Sequence, residues 1–271
     1  MLPLNTPHFE KEWALILGAS SGFGEALSLE LSSRGMDIIG IHLDRKNTLS
    51  NVERIVGEIQ SKGRQALFFN VNAADPEKRQ EILQAAQEQL KGAPTPFVRV
   101  FFHSLAFGTL KPYISNDPEG AITQPQMEMT VDVMAHSLVY WVQEMMRRKL
   151  LGNGSRIFAM TSSGGSRVWP TYGAVSAAKA ALESHIRQLA LELAPFGITA
   201  NCVRAGVTDT PALRKIPGNE KMIETASLRN PSRRLTTPKD VALAISSFCL
   251  QETQWMTGNV IGVDGGEDVV G

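Results

Sequence analysis

The fold of this chain is decided by the stretch Trp13-Ala-Leu-Ile-Leu17-Gly18-Ala-Ser-Ser-Gly22-Phe-Gly24. Five apolar residues are typical of a buried strand, and the three glycines after them are typical of a tight turn. The turn leads into a stretch from Glu25 to Arg34 whose pattern predicts a helix. A strand, a glycine-rich turn and a helix in this order can hold a dinucleotide, with the helix N-terminus facing the pyrophosphate. The alternative is a purely structural turn.

Strand-like and helical patterns alternate along the whole chain. The predicted strands are Trp13–Leu17, Asp37–Leu43, Ala66–Val71, Phe97–Phe102, Arg156–Met160, Thr199–Val203 and Val260–Val263. The predicted helices are Glu25–Arg34, Leu49–Lys62, Pro76–Lys91, Gln126–Lys149, Thr171–Ala194 and Pro238–Leu250. Apolar strands that alternate with helices build a parallel sheet through right-handed crossovers. No repeat or linker divides the chain, so we predict one α/β domain over residues 1–271, a Rossmann-like doubly wound parallel sheet with helices on both faces.

The composition is typical of a globular protein with a sizeable core. The 271 residues are 43% hydrophobic, enough for a sizeable core, and Lys+Arg and Asp+Glu are both 27. A net charge of zero gives no indication of nucleic acid as a partner. No apolar run approaches the roughly 18 residues of a membrane span, and Met1–Lys11 has no apolar signal-peptide core. We expect a cytoplasmic protein in which Cys202 and Cys249 are buried free thiols. The histidines show no metal-ligand spacing.

A tyrosine and a lysine lie seven positions apart in the second half of the chain. Tyr172 is followed by Lys179, and both fall in the predicted helix Thr171–Ala194. Seven residues are close to two helical turns, so the two side chains are expected on one face. Outside any wider pattern, the pair would be a half-buried aromatic and a surface charge.

The glycine spacing Gly-x3-Gly-x-Gly resembles that of the short-chain dehydrogenase/reductase superfamily, and the resemblance runs through nearly the whole chain. Ordinary members place the lysine four residues after the tyrosine, whereas Tyr-x6-Lys is typical of the enoyl-acyl-carrier-protein reductases. Two further segments resemble that branch, His103-Ser-Leu-Ala-Phe107 and Arg204-Ala-Gly206. The third glycine of the turn, and Ser162 in place of a second tyrosine, resemble the bacterial class of these reductases that keeps the ordinary turn.

The resemblance implies a nicotinamide cofactor held at positions spread along the chain. The implied contacts are Gly18, Ser20, Ser21, Gly22, Phe23, Gly24, His42, Arg45, Asn72, Ala73, Ser104, Leu105, Ala106, Lys179, Ala205, Gly206, Val207 and Thr208. An acidic residue at the end of the second strand would bind the adenosine ribose and repel a 2′-phosphate. That place is held by His42, with Arg45 and Lys46 within reach of a phosphate, which favours NADPH. Asp44 lies between them and keeps NADH possible.

The stretched spacing agrees with reduction of a conjugated double bond. Three extra residues shift the tyrosine by roughly 4.5 Å along a helix, if the helix includes position 172. In an enoyl thioester the hydride goes to the carbon two positions from the carbonyl carbon, so the acid must reach an oxygen farther from the nicotinamide. We expect Tyr172 to stabilise the thioester oxygen, Lys179 to bind the ribose and favour the Tyr172 anion, and Ser162 to donate a further hydrogen bond.

The segment 207–236 follows the expected nicotinamide segment and is irregular, with several prolines. We predict a mobile lid over the acyl chain; a pair of ordinary surface helices is the alternative. Four basic residues in it are either a surface for an acidic acyl carrier protein or simply solvated: Lys215, Arg229, Arg233 and Arg234. The resemblance also implies a homotetramer. A single chain gives neither the acyl length nor the carrier, whether carrier protein or coenzyme A.

Two rival functions stay open beside the enoyl thioester reductase of fatty-acid synthesis. The first is a carbonyl reductase that uses the same site on a 3-oxoacyl thioester or another ketone. The second is a catalytically silent NADP-binding regulator, against which the presence of Tyr172, Lys179 and the glycine turn argues.

Overall fold

The computed structural model describes residues 9–117 and 119–270. Most of the N-terminal segment in which we expect no signal peptide lies outside the described residues, and so does His8. Seven parallel strands form one sheet in the spatial order β3-β2-β1-β4-β5-β6-β7. The strands are β1 Trp13–Leu17, β2 Asp37–His42, β3 Ala66–Asn70, β4 Val98–His103, β5 Arg156–Ser162, β6 Thr199–Ala205 and β7 Val260–Val263.

Helices connect the strands and cover both faces of the sheet, so the predicted doubly wound Rossmann-like fold is confirmed. They are α1 Gly22–Ser33, α2 Leu49–Ser61, α3 Pro76–Leu90, α4 Gln124–Val131, α5 Ser137–Arg147, α6 Gly173–Leu193, α7 Asn219–Arg229 and α8 Pro238–Phe248. Leu138 of α5 and Leu182 of α6 are fully buried on one face, and Leu31 of α1 and Ile245 of α8 on the other. Burial of each such side chain stabilises the fold by about 1.5–3 kcal/mol.

The sheet places the candidate site at the point where the strand order reverses. Beyond β1 the chain builds outward through β2 and β3, and it then returns to lay β4 on the other side of β1. Ligands of such sheets bind in the crevice beyond the carboxyl ends of the strands at this point. Leu17 at the end of β1 pairs with His103 at the end of β4, so the turn at Gly18 and the loop at Ser104 begin side by side.

Two helix predictions were wrong in detail. The single helix predicted over Gln126–Lys149 is α4, a π-helical segment Asp132–His136 and α5. Thr130 and Ser137 each donate a hydroxyl hydrogen bond to the carbonyl one turn back, an arrangement that bends helices. The segment 207–236, taken as irregular, contains the helix α7, because the prolines on which the prediction rested lie outside Asn219–Arg229.

Candidate active site

The glycine turn after β1 is a cradle that side chains would fill. A Cβ atom on Gly18, whose φ is +84°, would lie 2.5 Å from the carbonyl oxygen of Ser104. A Cβ atom on Gly24 would lie 2.0 Å from the carbonyl oxygen of Gly18. Gly22 also has a positive φ of +55°, and its Cα faces the methyl group of Thr210. The turn therefore needs glycine at all three positions, for backbone conformation at the first two and for space at the third.

The start of α1 offers hydrogen-bond donors to an anion. Ser21 is the N-cap residue in an extended conformation, and its side chain makes no capping hydrogen bond. The first backbone N–H groups of a helix have no partner within the helix and carry partial positive charge. Asn51 of α2 holds the turn in place by donating Nδ2–H to the carbonyl oxygen of Ser20, at 2.8 Å. The predicted residues Ser20 to Gly24 thus fit a pyrophosphate.

The end of β2 carries an ordered carboxylate. His42 is buried, and its Nδ1 lies 2.9 Å from Oδ2 of Asp44. Asn70 at the end of β3 fixes the Asp44 backbone by one hydrogen bond to its N–H and one to its carbonyl. Partial burial raises the pKa of Asp44, but hydrogen bonds with Ser20, Thr48 and His42 outweigh it, so the net pKa lies below the ordinary value.

This arrangement changes the roles expected at the end of β2. His42 was taken as a cofactor contact, but it is buried behind Asp44 and orients that carboxylate. The Asp44 carboxylate reaches Ser20 of the glycine turn, whereas Arg45 and Lys46 are exposed. The acidic group is therefore the side chain that the structure brings to the cradle.

The remaining predicted cofactor positions lie at the same edge of the sheet. Ser104 donates its N–H to the carbonyl of Leu17, and Leu105 and Ala106 continue that loop. Asn72 follows β3, and its Oδ1 accepts the N–H of Ala74. Ala205 is the last residue of β6, the strand next to β5, and lies opposite Ser162. Gly206, Val207 and Thr208 follow it.

The C-terminal segment contributes a residue that sequence reasoning missed. The Glu267 carboxylate accepts the N–H of Val207, at 3.1 Å from Oε2. A Cβ atom on Gly206 would lie 2.7 Å from the same oxygen. Burial raises the pKa of Glu267, and the hydrogen bond from Val207 opposes it. Asp268 forms ion pairs with Arg167 and Arg204.

Lys179 is buried at the end of β5. Only 6% of the residue is exposed, and Nζ donates a hydrogen bond to the carbonyl oxygen of Met160, at 2.7 Å. Burial lowers the pKa of Lys179 to about 8, against the opposing effects of Cys202 and Glu183. A lysine held in this way is charged at neutral pH and close to losing its proton.

Tyr172 lies just outside α6, which corrects the expected helix start. The helix begins at Gly173 and Tyr172 is its N-cap residue, because Thr171 has a φ of +65° that no helix accommodates. The Tyr172 carbonyl still accepts the N–H of Ser176, so the residue is joined to the first turn. The rise per residue of a helix therefore does not measure the full separation of Tyr172 and Lys179.

Ser162, which we expect to donate a hydrogen bond to the substrate oxygen, has a buried hydroxyl. Its Oγ is inaccessible to solvent and, among the described residues, has no partner at ordinary hydrogen-bond geometry. A Cβ atom on Gly164 would lie 2.5 Å from Cε1 of Tyr172 and 3.2 Å from Oγ of Ser162, so the two side chains meet there. Burial raises the pKa of Tyr172, and a hydrogen bond with Ser162 opposes that rise.

Two further segments border Tyr172. The Tyr113 ring packs against Gly173, where an added Cβ would lie 2.5 Å from Cζ. Trp169 donates Nε1–H to the carbonyl oxygen of Pro217, at 3.2 Å, and so joins the loop before Tyr172 to the segment 207–236. Tyr113 is half-exposed and gave no sequence signal, because it lies in a loop without periodicity.

The next features concern metal-ligand groups, free cysteines and membrane-spanning helices in the described residues. No group of three or more His, Cys, Asp or Glu side chains in residues 9–117 and 119–270 could hold a metal ion. Cys202 and Cys249 are buried free thiols, as predicted. Within the same described ranges, no helix has the length and apolarity needed to cross a membrane.

Comparison with known proteins decides the family. Residues 18–267 match the family model described as "Enoyl-(Acyl carrier protein) reductase". The chain belongs to this family of short-chain dehydrogenases/reductases. It is thus an oxidoreductase, and the predicted membership of the short-chain dehydrogenase/reductase superfamily is confirmed.

Individual relatives are distant and varied in name. The chain is 29% identical to 1-cyclohexenylcarbonyl-CoA reductase of Streptomyces collinus, over 98% of this chain and 92% of that protein. It is 28% identical to an NADPH-dependent aldehyde reductase-like protein of Arabidopsis thaliana, over 93% of each. The crystal structure of an enoyl-[acyl-carrier-protein] reductase (NADH) from Aquifex aeolicus VF5 has a TM-score of 0.81 and 22% identity, and the alignment covers 97% of this chain and 98% of that one. At this identity the likeness to the crystal structure shows the fold.

Proposed function

We propose that the protein reduces the 2,3 double bond of an enoyl thioester with a reduced nicotinamide cofactor. The observation that carries the proposal is the meeting of Tyr172 and Ser162 at the end of β5, where Lys179 is also held. A buried hydroxyl without a partner, beside a protonated phenol, is suited to an oxygen that becomes negative during the reaction.

The name of one relative and the description of the family model support this substrate class. A 1-cyclohexenylcarbonyl thioester has its double bond conjugated to the thioester carbonyl, and the protein of that name is 29% identical to this chain. The family model is also described by an enoyl thioester substrate. The relative's name specifies coenzyme A, and the family description specifies an acyl carrier protein. The thioester carrier, and with it a place in fatty-acid synthesis, is therefore tested by assaying both kinds of thioester.

The cofactor, when bound, supplies a hydride to the β-carbon of the substrate. The residues of the chain then act on the developing charge. Tyr172 is protonated at neutral pH, because burial raises its pKa, and it donates a hydrogen bond to the thioester oxygen. Ser162 donates a second hydrogen bond to that oxygen. Lys179 holds positive charge at the same edge, where it stabilises the enolate and binds the nicotinamide ribose. The enolate takes up a proton from solvent at its α-carbon, which re-forms the thioester carbonyl.

Asp44 favours NADH over the NADPH expected from the sequence. Its carboxylate is fixed beside Ser20 by His42, and its backbone by Asn70. A fixed negative charge there can accept a ribose hydroxyl hydrogen bond and repels a 2′-phosphate. Arg45 and Lys46 are exposed, so neither is fixed beside the cradle as the Asp44 carboxylate is.

The test follows the label from a deuterated reduced nicotinamide into the product of a trans-2-enoyl thioester. Deuterium at the β-carbon with the thioester carbonyl retained supports the proposal. An unreacted enoyl thioester, together with deuterium on the carbinol carbon formed from a 3-oxoacyl thioester or an aldehyde, indicates the carbonyl reductase, which the aldehyde reductase-like relative favours. Cofactor binding without any turnover indicates the silent regulator.

Three further expectations accompany this function and remain predictions. They are a homotetramer, a cytoplasmic location and closure of the segment 207–236 over the acyl chain. The hydrogen bond from Trp169 to the carbonyl of Pro217 attaches the segment 207–236 to the loop before Tyr172.

A further inference from the structure

Each of the last three residues of β5 contacts one side chain, from either the residue before α6 or α6 itself. The carbonyl of Met160 accepts the hydrogen bond from Lys179, and Thr161 donates Oγ1–H to Oε1 of Glu183, at 2.6 Å. Ser162 meets Tyr172 through the space at Gly164. Two of these partners belong to the proposed catalytic group. Glu183 has no assigned role, although it lies one helical turn beyond Lys179.

Glu183 is held firmly where it is. The 2.6 Å hydrogen bond comes from Thr161, of which only 4% is exposed. The backbone of Gly165 closes over the same oxygen, since a Cβ atom there would lie 3.3 Å from Oε1 of Glu183 and 3.5 Å from Cβ of Lys179. The carboxylate, whose residue is partly exposed, therefore lies near the stem of the lysine.

The charge of Lys179 needs a partner in this space. The titratable groups that face it are Glu183 on its own helix, Cys202 on β6 and His103 on β4. Burial lowers the pKa of His103 to about 3 and raises that of Cys202 to about 12, so both are neutral near pH 7. Among the described residues, Glu183 is then the one group that faces Lys179 with a formal negative charge.

We infer that Glu183, anchored by Thr161, is a positioning residue that keeps Lys179 protonated in the active site. The inference rests on the proposed function in that it gives Lys179 its task, but the state of the Lys179 ammonium can be measured without any substrate. Burial of an ammonium group favours its neutral form, and a fixed carboxylate nearby reverses part of that effect. Without Glu183, Lys179 would lose its proton at a lower pH.

The test compares Glu183→Gln with Glu192→Gln. Glutamine keeps an oxygen that can accept the Thr161 hydrogen bond and removes only the charge. Glu192 is an exposed glutamate of the same helix that pairs with Gln188, so its variant is the matched control. The first readout is a pH titration of the Lys179 Cε resonance in 13C-lysine-labelled protein, assigned by its loss in Lys179→Met. The second is the alkaline limb of kcat on the thioester that the wild type reduces.

We expect Glu183→Gln to move both the titration midpoint and the alkaline limb to lower pH by at least about 0.5 unit, and Glu192→Gln to move neither. Thr161→Ser should behave as wild type, because it keeps the hydroxyl, and Thr161→Val should shift in the direction of Glu183→Gln. An unchanged Lys179 midpoint in folded Glu183→Gln overturns the inference. Failure of the wild type to reduce any enoyl thioester, with the midpoint still shifted, overturns the proposed function alone.

Discussion

Gly24→Ala should weaken cofactor binding and leave the protein folded. Gly24 lies in the first turn of α1, and its φ is not in the left-handed region, so alanine suits the backbone there. The added Cβ would nevertheless lie 2.0 Å from the carbonyl oxygen of Gly18 and 2.8 Å from the carbonyl carbon of Gly18. Real Cβ atoms essentially never approach closer than 3.0 Å, and both neighbours are backbone atoms. The turn must therefore move away from α1.

The displacement needed is about 1 Å, the difference between the 3.0 Å limit and the 2.0 Å approach to the carbonyl oxygen of Gly18. A misplacement of this size in a site that positions reacting groups lowers activity by about 100-fold. Overpacking of a rigid backbone contact costs about 1–3 kcal/mol, which the better helix propensity of alanine offsets by about 0.5–1 kcal/mol. We expect cofactor affinity to fall at least tenfold while the folded state persists.

The assay is a cofactor titration by nicotinamide fluorescence, paired with thermal unfolding without cofactor. Gly57→Ala is the matched control, because Gly57 is an exposed residue of α2 whose added Cβ has no heavy atom within 4 Å. It should bind cofactor as wild type and gain about 0.5–1 kcal/mol of stability. Wild-type cofactor affinity in Gly24→Ala would refute the reasoning that the turn holds the dinucleotide.

Three other predictions concern cofactor choice, thiols and strain. Asp44→Ser removes the fixed charge near the ribose and should raise the preference for NADPH over NADH about tenfold, measured as a ratio of kcat/KM values. Cys202 and Cys249 are buried with pKa values raised to about 12, so a thiol reagent should label them only in denaturant; rapid labelling of the native protein would contradict the structure. Thr171→Gly relieves a positive φ of 65° and a buried hydroxyl without a partner, which should raise stability by about 1 kcal/mol and Tm by about 2–4 °C. An unchanged or lower Tm would show that the strain is absent.

The sheet was predictable because its signals are local. Each strand is a short, mainly apolar run, and glycines mark the turns beside Trp13–Leu17 and Val260–Val263, which were predicted to the residue. The helix ends were less accurate because capping depends on tertiary contacts. Thr171, with its positive φ, delays α6 by two residues, and no local pattern shows that a threonine will adopt this conformation.

Candidate site residues could be proposed from the sequence where a motif marks them, as at Gly24, Tyr172 and Lys179, and their roles stay predictions. The site was not predictable where the partner comes from a distant part of the chain. Glu183 and Glu267 look like ordinary helix or turn acids in the sequence. Each acquires its role only when folding brings it to β5 or to the segment after β6.

In the proposed reaction, Tyr172 assists the reduction of a conjugated double bond. The direct measurement is the rate at which wild type and Tyr172→Phe oxidise the reduced nicotinamide with a short trans-2-enoyl thioester, with binding of the cofactor measured for both. We predict turnover by the wild type, a loss of at least about 100-fold in Tyr172→Phe, and unchanged cofactor affinity. Equal rates for the two proteins, or turnover of 3-oxoacyl thioesters but not of enoyl thioesters, would contradict the account.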